Sequence, residues 1–196
     1  MIRAGLSFDA AARSFKRHRF ALLPSLISTE VACRFWQGTR GLPFTRVCVG
    51  DNPAVWDEHA LASDCEIVGM FSSAQVIQLM KNVTGLNSSI CDLICWIARY
   101  RNGEYIDRHT DSAGTVQLLV CLTAPSSENG GVLVLLSEPN EHRYVLRAGD
   151  AVLFTATAVE HCTVPLVPSL ACPDPVRVVA VARYFFPGVE GWRLKS

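Results

Sequence analysis

The sequence has no apolar run near the roughly 20 residues that cross a bilayer as a helix, and its N-terminus lacks the apolar core of a secretory signal peptide. It has no surplus of charge either. Eighteen basic residues balance eighteen acidic ones, whereas binders of nucleic acid or anionic membranes usually carry a basic excess. Neither partner is expected. There is no CxxC pair, so the eight scattered cysteines do not form a zinc or dithiol motif. Cys91 and Cys95 have the spacing of one helical turn but find no second pair, and most of the cysteines sit among apolar neighbours, so they read as free core thiols. Repeats and low-complexity tracts are absent, and with 49% hydrophobic residues the chain is not a disordered one. Histidine is scarce, with five in 196 residues.

What is present suits one domain over residues 1–196. "AARSFKRHRF" is rich in arginine and poor in acid, in the manner of a transit peptide, but the strand-like "RFALLPSLIS" comes at once after it. A cytoplasmic location is the expectation. Helical signals dominate residues 1–92. Ser28-Thr29-Glu30 can cap a segment through Val31, Phe35 and Trp36. Ser72 and Gln75 form a capping-box pattern ahead of Val76, Leu79, Met80 and Val83, which recur at helical spacing up to Gly85. Between them "GDNPAVWDEHA" is turn-rich and reads as a loop. Strand signals dominate residues 93–187: "LICWIARY", "TVQLLVCLT", "VLVLLSE", "YVLRAGDAVLFTA", "HCTVPLV" and "VRVVAVARYFF", with turn residues such as Pro139-Asn140 between them. The pattern predicts N-terminal helices supporting an antiparallel β-sandwich.

The chemistry concentrates around "GEYIDRHTD". In a strand, side chains two apart share a face, so His109 and Asp111 can aim an imidazole and a carboxylate at one point. His161, at the start of a later strand, can supply a third group. Two histidines and a carboxylate on one side of a metal make the facial triad that holds Fe(II) with open positions. A histidine two residues from an acid also arises by chance, and His161 alone could be a hydrogen-bonded strand-end residue. An independent feature is Arg177, sixteen residues after His161 and inside the last strand. A guanidinium buried in a sandwich needs an anion, either a bidentate carboxylate ligand or an internal salt bridge.

Together these residues resemble the Fe(II)- and 2-oxoglutarate-dependent oxygenase superfamily, in its prolyl-hydroxylase-like branch. The likeness rests on His109-Thr110-Asp111, His161 and Arg177, on "RYRNGEYIDRHTD" leading to the first ligand, and on "NGGVLVLL", "AGDAVLF" and "RVVAVARYFF". It covers about residues 93–187. The gap between His161 and Arg177 is longer than the family's and holds Pro165, Pro168, Pro173 and Pro175, an insertion that could shape the substrate entrance. Arg183 is then a second candidate for the cosubstrate; Arg177 is preferred because it opens the last strand with an aromatic residue, Tyr184, seven places later.

The resemblance implies a mainly β (α+β) fold, a double-stranded β-helix or jelly roll with N-terminal supporting helices. It implies that His109, Asp111 and His161 bind the iron and that Arg177 holds the distal carboxylate of 2-oxoglutarate. Tyr100 and Thr163 would add contacts to that cosubstrate, against the plainer roles of a half-buried aromatic and a solvated threonine. Dioxygen is the co-reactant and ascorbate an optional reductant. The expected activity is a dioxygenase that hydroxylates a C–H bond and releases succinate and CO2. A domain of this size suits a small substrate such as an amino acid or natural product, and the alternative is a prolyl residue in a peptide. Halogenation is disfavoured, because Asp111 fills the position that a halide would take. A cupin-like non-oxidative metal protein and a pseudo-enzyme used for protein interaction are the rival classes. The oligomeric state is not legible.

Overall fold

Serine hydroxyls and one thiol start three of the helices. In the computed structural model, which describes residues 8–48, 55–123 and 126–188, Ser28 accepts a hydrogen bond from Val31 N at 3.3 Å and opens α2 (Thr29–Thr39), as expected. Upstream, α1 (Asp9–His18) buries Ala11 and Phe15 and leaves its arginines outward, so the Arg-rich stretch is an amphipathic helix of the domain. Cys65 accepts from Val68 N at the start of α3 (Glu66–Phe71). The next cap is Ser73, not Ser72, and it opens α4 (Ala74–Thr84). Ser72 belongs to the end of α3, where its hydroxyl donates to Val68 O at 2.9 Å, so it is not free to cap α4. Val76, Leu79, Met80 and Val83 are buried, as their spacing predicts.

The strands are β1 (Phe20–Leu23), β2 (Thr45–Cys48), β3 (Val55–Ala60), β4 (Asp92–Tyr100), β5 (Val116–Thr123), β6 (Leu133–Ser137), β7 (Asn140–Tyr144), β8 (Ala151–Thr155), β9 (His161–Thr163) and β10 (Arg177–Phe185). They form a seven-stranded sheet, ordered β1-β8-β5-β10-β4-β3-β2, and a three-stranded sheet, ordered β7-β6-β9. All pairings are antiparallel. Two of these strands correct the sequence reading. The stretch expected to be a loop contains β3, whose residues Asp57, Glu58, His59 and Ala60 pair with β4; residues 50–54 lie outside the described part. Asn140, expected in a turn, instead begins β7, a polar edge strand paired to β6.

The centre of the large sheet is buried on both faces, which explains why β5 and β10 read as continuous apolar runs instead of alternating ones. One face, with Leu118, Val120, Ala180 and Tyr184, packs on the helices through Phe35, Phe71, Leu79 and Met80. The other, with Leu119, Cys121, Val179 and Val181, packs on Leu133 and Leu135 of the small sheet. This is the predicted sandwich with supporting helices. The cysteines are all free, but only Cys95 and Cys121 are buried, while Cys33, Cys48 and Cys91 are exposed. The core-thiol expectation therefore holds for two of them, and Cys95 lies in a strand, so its spacing from Cys91 is not a helical turn.

Candidate active site

Between β4 and β5 the chain makes a tight turn and then runs back along β9. The turn is fixed by Glu104, which is buried, accepts from Arg101 N at 2.8 Å and forms an ion pair with Arg46. Ile106 N donates to Thr163 Oγ1 at 2.9 Å, and Thr163 N donates back to Ile106 O at 3.0 Å. His109 N donates to His161 O at 3.0 Å and His161 N to His109 O at 2.8 Å. Asp111 N donates to Ala156 O at 3.1 Å. His109 and Asp111 are thus not in a regular strand, as the sequence suggested. A single antiparallel bridge between His109 and His161 places the two histidines side by side, and the irregular chain beyond it carries Asp111 to the same point.

The three side chains converge, with one ligand atom from each lying within 4.8 Å of the others. The imidazole centroids are 4.2 Å apart, and His109 Nε2 is 4.0 Å from Asp111 Oδ1. Each Nδ1 faces a backbone carbonyl, Asp107 O at 2.7 Å and Val159 O at 3.0 Å. A carbonyl only accepts, so each Nδ1 carries the proton and each Nε2 keeps its lone pair for a metal. Burial, with His109 as neighbour, lowers the His161 pKa to about 4, so that imidazole is neutral at pH 7. Burial raises the Asp111 pKa against the opposing pull of Arg183 and His109. Asp111 Oδ1 accepts from Arg183 Nη2, while its Oδ2 is buried with no partner among the described residues. Two imidazole Nε2 atoms and a carboxylate oxygen without a partner are a donor set that suits a divalent first-row metal.

Arg177 is 1% exposed at the head of β10, on the face that packs on the small sheet. Neither of its terminal nitrogens has a hydrogen-bond partner, and it forms no ion pair among the described residues. Its guanidinium carbon lies 5.2 Å from the centroid of the Tyr100 ring, its partner across β4. Burial pushes the Tyr100 phenol up to about 12, so it is a neutral donor. Thr163 is buried and not solvated, with its hydroxyl oxygen already accepting from Ile106. At Gly131 (φ +65°) an added Cβ would meet Leu166 Cδ2 at 2.7 Å and Arg177 Cδ at 3.3 Å, so a glycine is what lets these chains close over the arginine.

A cavity of about 540 Å³ contains the triad and is walled by Trp56, Trp96, Ile94, Glu58 and Leu133, with Tyr100 and Thr163 also reaching it. Its size suits a small-molecule site. Residues 165–175 do not line it. Arg177 is not among the lining residues either; the buried Leu166 of the proline-rich insertion lies with Arg177 Cδ beside Gly131. Trp56 escapes a sequence reading because its strand has the composition of a loop. Trp96 shares the parity of Tyr100 along β4, a signal that could have found it.

No protein-family model matches the chain. Among solved structures, it is similar to a Pseudomonas putida prolyl-4-hydroxylase, at 17% identity and a TM-score of 0.71, covering 90% of this chain and 97% of that one. A Burkholderia pseudomallei oxidoreductase of the 2OG-Fe(II) oxygenase family matches at 13% identity and a TM-score of 0.72, over 94% and 92% of the two chains. The non-heme α-ketoglutarate-dependent carbocyclase SnoK of nogalamycin biosynthesis matches at 16% identity and a TM-score of 0.67, over 100% and 96%. At such identities the likeness is one of fold, which is the predicted jelly roll with helical support. No helix among the described residues is long and apolar enough to cross a membrane.

Proposed function

We propose that the chain is an Fe(II)- and 2-oxoglutarate-dependent dioxygenase acting on a C–H bond of a small amino-acid-like or natural-product substrate, by hydroxylation. The observation that carries this is Arg177. A buried guanidinium with both terminal nitrogens unpartnered is costly unless an anion completes it, and a carboxylate fits its planar fork. A cupin-like metal protein without a 2-oxo acid has no use for such a group. The solved structures of this fold, prolyl-4-hydroxylase and carbocyclase among them, support the same class.

His109 Nε2, His161 Nε2 and Asp111 Oδ2 would hold the iron, and Arg177 the distal carboxylate of 2-oxoglutarate, with Tyr100 and Thr163 beside it. Bound together, these cofactors and dioxygen supply the oxidising chemistry that turns C–H into C–OH with release of succinate and CO2. The chain's part is placement. The backbone bonds at Asp107 and Val159 fix both imidazole tautomers, the His109–His161 bridge fixes their separation, and Leu166 with Gly131 keeps water from Arg177. Trp56, Trp96 and Ile94 give the substrate an apolar wall.

Anaerobic titration with Fe(II) and 2-oxoglutarate tests this reading. A visible charge-transfer band that needs both additions is the expected result; its absence with folded protein would sink the proposal. Succinate release across a panel of amino acids, natural products and prolyl peptides then tests the substrate class, and turnover confined to the peptides would replace it with a peptidyl-prolyl hydroxylase.

A further inference from the structure

Arg183 lies six residues beyond Arg177 on the same face of β10, and the chemistry of the triad and cosubstrate leaves it without a task. It is held in several ways. Its Nε and Nη2 both donate to Gln117 Oε1, at 3.1 and 2.9 Å, and Nη2 also donates to Asp111 Oδ1. Its guanidinium carbon lies 5.0 Å from the Trp96 ring centroid. Its stem fills the space over Gly114 (φ +90°), where an added Cβ would come within 2.4 Å of Arg183 Cγ. Gln117 is itself buried. These contacts leave the guanidinium little room to move, and they aim it at one oxygen of one proposed metal ligand.

A carboxylate can grip a metal with one oxygen or with both. Here Oδ1 carries a charge-assisted hydrogen bond, and the fixed positive charge beside it opposes a second cation there. Only Oδ2, buried and unpartnered, remains. We propose that Arg183 is a positioning residue that makes Asp111 a one-oxygen ligand, so that the positions a chelating 2-oxo acid and dioxygen require stay open. The proposal rests on the proposed metal site. It also gives Gln117, Trp96 and Gly114 a common purpose, since each holds Arg183 in place.

The test uses the full-length protein under anaerobic conditions, with Mn(II) affinity, 2-oxoglutarate affinity and the Fe(II)–2-oxoglutarate charge-transfer band as readouts. In Arg183→Met, Asp111 is free to close on the metal with both oxygens. Mn(II) binding should stay within about tenfold of wild type, while 2-oxoglutarate binding weakens by about ten- to a hundredfold and the band is lost or shifted. Arg183→Lys should restore part of the band, because an ammonium still reaches Oδ1 but cannot also lock onto Gln117. Gln117→Leu, which removes only the brace, should move the same readouts less. An Arg183→Met protein with wild-type band and 2-oxoglutarate affinity would mean that Arg183 is packing, and the proposal fails. A folded Arg183→Met protein that loses Mn(II) along with cosubstrate overturns it too, since Arg183 would then sustain the whole site. If Arg183→Met does not fold, Gln117→Leu decides, and an unchanged band in it counts against the proposal. A wild-type protein that never shows the band overturns the metal-site reading and this inference together.

Discussion

Two aspartates with little side-chain exposure, Asp57 and Asp111, have opposite surroundings. Asp57, on β3, is 3% exposed and accepts from Arg46, from Arg99 twice and from Arg101. Burial alone would raise its pKa, but Arg99, Arg46 and Arg101 outweigh it and hold the carboxyl below 3.8. Asp111 has one guanidinium and one oxygen left bare, and there burial wins and the pKa is raised. The same contrast separates Arg183, whose Nε and Nη2 are hydrogen-bonded within the fold, from Arg177, whose terminal nitrogens have no partner. A buried charge that the fold itself completes needs no ligand. One that the fold leaves incomplete marks a place for a ligand.

The largest effect should come from breaking the incomplete side. His109→Ala, Asp111→Ala or His161→Ala should each abolish 2-oxoglutarate turnover, read as succinate release, with the thermal midpoint moved by no more than a few degrees. Full activity at ordinary iron concentration in any one of them removes that residue from the site. Asp111→Gly is sharper, because it opens a coordination position without adding bulk.

Next comes Arg177. Arg177→Ala should weaken 2-oxoglutarate binding by about two to four decades, equivalent to about 3 to 5 kcal/mol, while sparing iron. Arg177→Lys should recover only part of this, since a point charge does not reproduce the fork. Without ligand the sign should reverse for stability. Arg177→Met removes an uncompensated buried charge and should raise the thermal midpoint of the ligand-free protein by a few degrees, about 1 kcal/mol. Added metal and 2-oxoglutarate should then stabilise wild type and not the variant. A midpoint that drops in the ligand-free variant would show that Arg177 already has a partner, and the contrast with Asp57 would fail.

The sandwich, the helical support and the triad were legible because their signals are local: β-branched runs, capping serines, and His-x-Asp followed by His161 at the start of a later strand. The geometry behind the triad was not. Strand parity predicted the right convergence for the wrong reason, since His109 and Asp111 are placed by backbone bonds to His161 and Ala156, between 45 and 52 residues away. Trp56 and β3 were missed because Asn52-Pro53 and the acids of "WDEHA" look like a turn when the pairing with β4 is unknown. Gln117 and Gly114 were invisible for a deeper reason. Their meaning depends on Arg183 crossing between strands, and no pattern within β5 announces that.

The smallest expected effect belongs to the completed side. Asp57→Asn keeps the shape but removes the charge that Arg46, Arg99 and Arg101 share. Arg46 and Arg101 are about half exposed and can turn to solvent, so the cost is discounted to about 1 to 2 kcal/mol. Turnover and 2-oxoglutarate affinity should stay at wild-type values. The pH dependence has a definite sign. A carboxyl whose folded pKa lies below its ordinary value contributes stability that is fully present above that value and is lost as the pH falls through the folded pKa. The stability gap between wild type and Asp57→Asn should therefore be constant from pH 5 to 7 and should shrink below about pH 3.8. Denaturant midpoints measured in parallel at pH 7, 5 and 3 check this. A gap that widens in acid, or an Asp57→Asn protein that loses cosubstrate, would mean that this cluster is not merely structural and that the two aspartates are not the opposites described.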